Sequence, residues 1–393
     1  MALGVRRLPF EVPSYSLTGD ILSYQRCGLQ YRYYNGSSLP PSRPVQIWVG
    51  EFIHGVLEEA YRLWRAADPP FPWPNNVTPW PTPPQQPLRV AHDIGELGDR
   101  VEARLSARGT RPRSQSARES AYQRAEAAIN FLAPHLFPLI TAAEERISGT
   151  RAMPPLPGGN IGRGDRYELT GVVDVISSVE VARDAGNPIV QVIHGVIPPP
   201  AHGYDLIVDY KSMRRPAVNA DYWRHHEWQV QTYSWLRAQA PNAQRVGAGL
   251  IIYINELSPS QADLEELQND MRLNHTDVVP PAGSADYYAV HTWQRGHPVP
   301  TFTPEFRLRR AIHVIDVSPP NVGAAVANID GVVVNIEQSA ALEFNTGNIL
   351  ANWKACGGER DCVACDFKHF CPSPAEARQP GANWNPQPPV APG

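Results

Sequence analysis

The stretch YELTGVVDVI, residues 167–176, and the stretch LIVDYK, residues 206–211, decide the fold. Both are rich in β-branched and aromatic residues, which predicts two neighbouring strands of a central sheet. Residues two apart in a strand point to the same face of the sheet. Asp209 and Lys211 therefore project together, while Tyr210 turns the other way.

A second carboxylate, Asp174, lies on the first of these strands. Two carboxylates and a lysine on one buried face are costly unless they hold a cation, and carboxylate oxygens suit Mg²⁺ or Mn²⁺. The lysine can then orient the attacking water or balance the charge of a phosphate. Taken alone, however, the pair formed by Asp209 and Lys211 fits a surface ion pair on an edge strand better.

Two predicted helices carry further polar residues. Residues 46–66 have an amphipathic helical pattern with His54 near its middle. Residues 221–240 predict another helix, on which Gln229 and Tyr233 are four residues apart and share one face. By themselves, such a histidine and such a pair are ordinary core or surface residues.

The order of these pieces resembles the PD-(D/E)XK nuclease superfamily, and within it the RecB-like branch. The pattern is a helix with Gly-x-x-x-His, a strand with Gly-x-x-Asp, a strand with Asp-x-Lys and a helix with Gln-x-x-x-Tyr. The resemblance implies four metal ligands: His54, Asp174, Asp209 and the backbone carbonyl of Tyr210. It makes Lys211 the catalytic lysine, and it makes Gln229 and Tyr233 residues that orient the lysine, the DNA or both.

The resemblance extends over residues 14–372 and implies an α/β fold. We expect a mixed sheet flanked by helices, with helical insertions and an iron–sulfur subregion that joins the N- and C-terminal parts. Insertions relative to the family core are expected at about 69–125, beginning with the Pro/Trp-rich segment 69–88, and at 177–204. A disordered, proline-rich tail is expected at 373–393.

Five cysteines in a chain without a recognisable secretory signal favour metal or reactive thiols over disulfides. Three of them form a C-x2-C-x5-C pattern: Cys362, Cys365 and Cys371. Thiolates at this spacing can bind one metal centre, but the centre needs a fourth ligand. The candidates are Cys27, Cys356 and His369, of which spacing alone favours Cys356.

The resemblance favours a different fourth ligand. Iron–sulfur nucleases of the RecB-like branch, among them CRISPR-associated exonucleases and helicase-linked nuclease domains, place one cysteine before the histidine helix and three after the last helix. This implies a [4Fe–4S] cluster on four thiols: Cys27, Cys362, Cys365 and Cys371. Zinc is the competing metal. Cys356 is left over as a small apolar residue or a loop thiol.

The composition excludes several classes of protein. The chain has 393 residues with 42% hydrophobic and 19% charged residues and a net charge of -4, which argues against a disordered chain and against a general DNA-coating protein. The longest apolar run, residues 246–254, is too short to cross a bilayer, so we expect a cytoplasmic protein without membrane contact. The sequence contains no G-x-x-x-x-G-K-[ST] loop, so a separate helicase or a CRISPR adaptation or defence protein is the expected partner.

Other segments carry weaker signals. Residues 100–124 contain seven arginines and two glutamates, which fits either a DNA contact or a solvated helical surface. The remaining patterns predict helices at 14–34 and at 120–147, a buried strand at 245–255, and mostly helix at 304–354 with a proline break at 319–320.

These features predict metal-dependent hydrolysis of DNA phosphodiesters by in-line attack of water. We expect an exonuclease that acts on single-stranded or frayed ends in DNA repair or antiviral defence. One alternative is a non-catalytic DNA-end-binding or assembly subunit, and another is a zinc-stapled helical interaction protein. A non-catalytic subunit would be expected to have lost Asp174, Asp209 or Lys211, and this chain has all three. In a zinc-stapled interaction protein, the Asp-x-Lys pattern on the strand would be a coincidence.

Overall fold

The computed structural model describes residues 12–36, 47–79, 89–220, 223–241 and 243–356, together with residues 362, 365–368 and 371. The tail expected at 373–393 and the end of the Pro/Trp-rich segment, residues 80–88, lie outside this part of the chain.

A mixed sheet forms the centre of the molecule. The described residues contain six strands: β1 (Ser14–Ser16), β2 (Ile140–Ala152), β3 (Arg166–Val179), β4 (Tyr204–Lys211), β5 (Val246–Tyr253) and β6 (Ile312–Ile315). Their order is β1-β3-β4-β5-β6, and β2 pairs with β3. The β1–β3 and β4–β5 pairs are parallel, and the other pairs are antiparallel. The expected mixed sheet is therefore confirmed.

The described residues form thirteen α-helices, some of which cover the two faces of this sheet. They are α1 (Leu22–Arg26), α2 (Gly28–Gly36), α3 (Ile47–Ala67), α4 (Ile94–Ala107), α5 (Gln115–Ala127), α6 (Ala133–Leu136), α7 (Pro188–His194), α8 (Trp223–Ala238), α9 (Gln261–Arg272), α10 (Ala285–Thr292), α11 (Pro304–Ala311), α12 (Pro319–Thr346) and α13 (Ile349–Asn352). Several start at side-chain caps that satisfy free backbone N–H groups. Asp93 caps α4, and Ser260 with Asp263 forms a capping box at α9. Among the described helices, none combines the length and apolarity that a bilayer crossing requires.

Strand β4 shows how the two faces are filled. All of its residues except Lys211 are buried, as expected for a strand covered on both sides. Leu206 and Val208 belong to the core that contains Trp48 of α3, whereas Ile207 belongs to the core that contains Tyr233 of α8. Helices α3 and α8 therefore pack on opposite faces of the sheet.

The sheet divides along one edge of β3. Strand β1 pairs with residues 168–170 of β3, and β4 pairs with residues 175–179 along the same strand. Residues 171–174 lie between these two partners. At this fork residues 171–174 pair with none of the described strands on that edge of β3, and the half-buried Asp174 lies within it.

Three sequence-based expectations were wrong in part. Residues 140–147 belong to strand β2 rather than to a helix, because long antiparallel pairing with β3 overrides the helical preference of the Ala- and Glu-rich sequence. Residues 14–16 form strand β1 instead of the start of a helix. Residues 312–315 form strand β6, and the break expected at 319–320 is instead the start of α12, where proline fits the first helical turn.

The predicted buried strand at 245–255 is confirmed and corresponds to β5. Residues 180–203, within the insertion expected at 177–204, connect the antiparallel strands β3 and β4 and include α7.

Candidate active site

His54 lies on α3 and faces the fork of the sheet. The buried side of this helix, which includes Phe52, Ile53, Val56 and Leu57, anchors it against the sheet. Nε2 of His54 lies 3.1 Å from the backbone oxygen of Tyr210, and Nδ1 lies 3.4 Å from Oδ1 of Asp174. The helix thus brings the histidine to both strands that carry the predicted carboxylates.

Asp174 bridges the two strands at the point where their ladder ends. The last backbone pair on this side joins Val175 to Val208, and the backbone N–H of Tyr210 donates to Oδ2 of Asp174 at 2.8 Å. Burial would raise the pKa of Asp174, but His54, the Tyr210 N–H and Lys211 outweigh it and lower the pKa below its usual value. Asp174 is therefore held as a carboxylate.

Asp209, Lys211, Gln229 and Tyr233 form one connected network. Nζ of Lys211 lies 2.6 Å from Oδ2 of Asp209 and donates to Oε1 of Gln229 at 3.0 Å. Nε2 of Gln229 donates to Oδ1 of Asp209 and to the hydroxyl of Tyr233, both at 3.1 Å. The glutamine therefore fixes the lysine and the carboxylate relative to each other.

Burial dominates the electrostatics of Asp209, which is only 2% exposed. Burial raises the pKa of Asp209, and the nearby charge of Lys211 opposes this shift. The two residues form a buried ion pair whose partners depend on each other for solvation.

Glu144 is a site residue that the sequence-based reasoning missed. It lies opposite Asp174 on β2 with a φ of 52°, an uncommon backbone conformation for a residue with a side chain. One carboxylate oxygen of Glu144, one nitrogen of His54 and one oxygen of Asp174 all lie within 4.8 Å of one another. Burial and the charge of Asp174 raise the pKa of Glu144 to about 7. The residues around Glu144 have a helical pattern, so the sequence did not indicate that Glu144 lies beside Asp174 and His54.

All of these groups line one cleft that is open to solvent and has a volume of about 520 Å³. Its wall also includes small or polar residues that can face a nucleic acid strand: Ser16, Thr18, Gly50, Arg146, Thr170 and Ser212. Every predicted catalytic residue and metal ligand is therefore brought to a single surface.

The donor set fits a divalent cation. It offers an imidazole nitrogen, carboxylate oxygens and a backbone carbonyl, which are suitable ligands for Mn²⁺ or Mg²⁺. Burial alone would lower the pKa of His54, but the carboxylates of Asp174, Asp209 and Glu144 outweigh it and raise the pKa to about 9. The clustered negative charge thus already favours a cation at this place.

The five cysteines come together in a second cavity. Its lining includes Cys27 from the start of the chain with four others from its end: Cys356, Cys362, Cys365 and Cys371. The backbone N–H groups of Gln30 and Cys356 donate to Sγ of Cys27 at 3.4 and 3.3 Å. The structure thus brings Cys27 to the other three predicted cluster ligands.

Cys356 was expected to be left over, but it lines the same cavity. Its Sγ lies 3.7 Å from Sγ of Cys362. The cavity therefore contains five thiols, one more than a four-thiolate cluster or zinc site uses.

A buried hydroxyl gives an independent indication of what this cavity suits. In the described part of the chain, the hydroxyl of Tyr33 is buried without a hydrogen-bond partner, and Tyr33 lines the cavity. An unsatisfied buried hydroxyl costs about 1–3 kcal/mol. Burial, with the charges of Cys371 and Cys365, raises the pKa of Tyr33 to about 12. Thiols can ligate an iron–sulfur cluster, and a hydroxyl without a partner can donate to its sulfur atoms, so these residues fit such a group.

The arginines of residues 100–124 are largely used within the protein. Four form ion pairs: Arg100 and Arg104 with Glu59, Arg118 with Asp99 and Glu102, and Arg124 with Asp263. Arg108, Arg111 and Arg113 are exposed near the connection between α4 and α5. The part of this segment available to an external anion is therefore smaller than the sequence suggests.

Comparison with known proteins agrees with this architecture. A family model of the PD-(D/E)XK nuclease superfamily matches residues 19–187, which is less than half of the chain. The matched segment includes His54 and Asp174 and ends before Asp209. No curated protein matches the chain. The six-stranded mixed sheet flanked by helices fits the core of this superfamily, so the chain is similar to PD-(D/E)XK nucleases in both sequence and architecture.

Proposed function

We propose that this protein is a metal-dependent deoxyribonuclease that hydrolyses phosphodiester bonds. The observation that carries the proposal is the network in the cleft, where Gln229 holds Lys211 against Asp209 while Asp174 and His54 face the same opening. A purely structural ion pair would not require a second carboxylate and a histidine on the same solvent-open surface.

The residues that would hold the cation are His54, Asp174, Asp209 and the carbonyl of Tyr210. Glu144 is close enough to His54 and Asp174 to add a further carboxylate. When bound, a divalent cation neutralises charge on the phosphate and activates water for attack. The bridge from Asp174 to the Tyr210 N–H keeps the carbonyl of Tyr210 at the His54 side of the cleft.

We assign to Lys211 the role of donating a hydrogen bond to the attacking water or to the phosphate. An ammonium group has three hydrogens, and in the described contacts Asp209 and Gln229 engage two of them. The third can donate to the attacking water or to a phosphate oxygen. Because Asp209 and Gln229 fix the ammonium in advance, little reorganisation is needed during the reaction.

We also assign a [4Fe–4S] cluster to Cys27, Cys362, Cys365 and Cys371. The shared cavity and the orphaned hydroxyl of Tyr33 support this assignment. The cluster would link Cys27 to the three cysteines near residue 370. Its main role would be structural, because closing so long a loop lowers the entropy of the unfolded chain and thereby stabilises the fold.

The substrate and the setting follow from the resemblance to RecB-like nucleases. We propose exonucleolytic cleavage of single-stranded or frayed DNA ends in DNA repair or antiviral defence, in the cytoplasm. A separate helicase or a CRISPR adaptation protein would act with it.

Cleavage of matched linear and circular DNA tests this proposal. End-labelled single strands, linear duplexes and covalently closed circles are incubated with Mn²⁺, Mg²⁺ or EDTA. We expect linear DNA to be shortened with either metal, and circles to stay intact. Cleavage of circles would contradict exonucleolytic action but not nuclease action. Binding of ends without cleavage would support the non-catalytic end-binding alternative.

A further inference from the structure

The hydroxyl of Tyr33 is the unexplained polar group of the cysteine cavity. The Tyr33 side chain is 4% exposed, and its hydroxyl has no partner among the described residues. It lies in the wall of the cavity that all five thiols share. A phenol is a hydrogen-bond donor at neutral pH, so a bound group with electron-rich atoms would satisfy it.

The position of Tyr33 is fixed by its neighbours. Its ring packs on Phe367 with centroids 5.0 Å apart, and Phe367 lies two residues beyond Cys365 and four before Cys371. The ring of Tyr33 therefore lies beside the segment that carries Cys365 and Cys371 in the wall of the cavity.

Hydrogen-bond donors already reach two of the thiols. The backbone N–H groups of Gln30 and Cys356 both point to Sγ of Cys27. The backbone N–H of Phe367 and the side chain of Gln30 hydrogen-bond to the thiol of Cys365. The phenol of Tyr33 is placed to add a further donor of this kind in the same cavity.

We propose that Tyr33 donates a hydrogen bond to a sulfur of the bound cluster, either a ligand thiolate or a sulfide, and thereby raises the reduction potential of the cluster. The inference rests on the proposed [4Fe–4S] cofactor. Hydrogen bonds to cluster sulfurs are one of the factors that set reduction potentials. A donor withdraws electron density from sulfur, so it stabilises the reduced, more negative cluster more than the oxidised one. Tyr33 is a positioning and tuning residue rather than a ligand.

Tyr34 provides a matched control. Its ring also packs on Phe367, with centroids 4.9 Å apart, but its hydroxyl donates to Asp366 at 3.1 Å. Tyr34→Phe therefore removes the same atom from the same aromatic cluster without removing the donor that faces the cavity.

The test is a redox titration of the anaerobically purified full-length chain, with dithionite as the reductant and electron paramagnetic resonance as the readout. Iron and sulfide are measured first in the wild type, Tyr33→Phe and Tyr34→Phe. We expect equal iron contents, a lower reduction potential in Tyr33→Phe, and an unchanged potential in Tyr34→Phe. Equal potentials in all three proteins would overturn the role of Tyr33.

Two further outcomes separate the inference from the cofactor assignment. If the wild type contains zinc or no iron, the cluster assignment itself is wrong and the inference falls with it. If Tyr33→Phe does not retain iron, 3-fluorotyrosine at position 33 replaces it as the test. This more acidic phenol has nearly the same shape and is a stronger donor, so it should raise the potential above that of the wild type, and an unchanged potential would contradict the inference.

Discussion

A Cβ atom on Gly171 would lie 2.6 Å from Cε1 of Tyr233, so the ring of Tyr233 can lie against β3 only because position 171 has no side chain. The hydroxyl of Tyr233 accepts from Gln229, which in turn holds Lys211. The glycine of the Gly-x-x-Asp pattern is therefore linked through two side chains to the lysine of the Asp-x-Lys pattern.

Gly171→Ala should reduce catalysis while the protein remains folded. The new methyl group displaces the Tyr233 ring and with it Gln229, and a shift of ~1 Å in a catalytic group can cost about 10²-fold in rate. The measurement is the single-turnover rate of DNA cleavage, with circular dichroism as the check on folding.

Gly331→Ala is the control for this experiment. Gly331 lies in α12 and does not line the cleft, and a Cβ atom there meets nothing within 4 Å. Activity should be retained, and stability should rise by about 0.5–1 kcal/mol because alanine is favoured over glycine in a helix. Wild-type rates in Gly171→Ala would show that the Tyr233–Gln229–Lys211 arrangement does not matter for the reaction.

Lys211→Ala should lower the cleavage rate by about 10²-fold or more, since it removes a preorganised donor from a buried site. DNA binding should change little because the variant keeps the rest of the cleft. Lys354→Ala is the matched control. Lys354 is one of only three lysines in the chain and is exposed. Equal loss of activity in the two variants would indicate a general effect of lysine removal rather than a role in the reaction.

Binding of Mn²⁺ should strengthen as the pH rises from about 7 to 9. The folded pKa of His54 is about 9, above the usual value of about 6.5, so at pH 7 the cation must displace a proton from the imidazole. In the metal-free protein, the stabilisation from protonated His54 is fully present below pH ~6.5 and is lost as the pH rises through about 9. Calorimetry in buffers of different ionisation enthalpy should detect proton release on Mn²⁺ binding. His54→Gln should weaken Mn²⁺ binding and reduce this release, and an unchanged proton count would contradict the assignment of His54 as a ligand.

Cys27→Ser should remove iron from the anaerobically purified protein and lower its stability, because a four-thiolate site loses its integrity with any one ligand and its binding energy is coupled to folding. Cys356→Ser should retain iron, although Cys356 lies in the same cavity. Iron analysis and thermal unfolding measure both effects. Loss of iron from Cys356→Ser with retention in Cys27→Ser would mean that the cluster uses the end of the chain alone.

Strands β3 and β4 and helices α3 and α8 could be predicted from the sequence because their signals are local. Apolar runs and helical spacing identify the elements, and the side-chain period of each element decides which residues share a face. Each of His54, Asp209, Lys211 and Gln229 was ordinary when taken alone. The order of their motifs along the chain, which resembles that of PD-(D/E)XK nucleases, is what implied their roles.

Contacts between segments that are distant along the chain could not be predicted from the sequence. Strand β2 has a locally helical composition, so nothing indicated that Glu144 would lie opposite Asp174. Likewise, the ion pair between Arg104 and Glu59 depends on how α4 packs against α3, which the charge pattern of residues 100–124 does not contain. These residues were missed or misjudged because their roles arise only when distant segments meet.

Asp209→Asn tests most directly whether the cleft hydrolyses DNA with a divalent cation. Asparagine keeps the size of the side chain and an oxygen that can accept from Gln229, but it removes the negative charge. End-labelled linear DNA is incubated with Mn²⁺ and either the wild type or the variant, and unfolding temperature and DNA binding are measured alongside. We expect the wild type to cleave and EDTA to abolish cleavage. The variant should be slower by about 10²-fold or more while it stays folded and binds DNA, although the loss of one partner of the buried pair with Lys211 should lower its unfolding temperature. Cleavage by Asp209→Asn at the wild-type rate, or no metal-dependent cleavage by the wild type, would contradict the account.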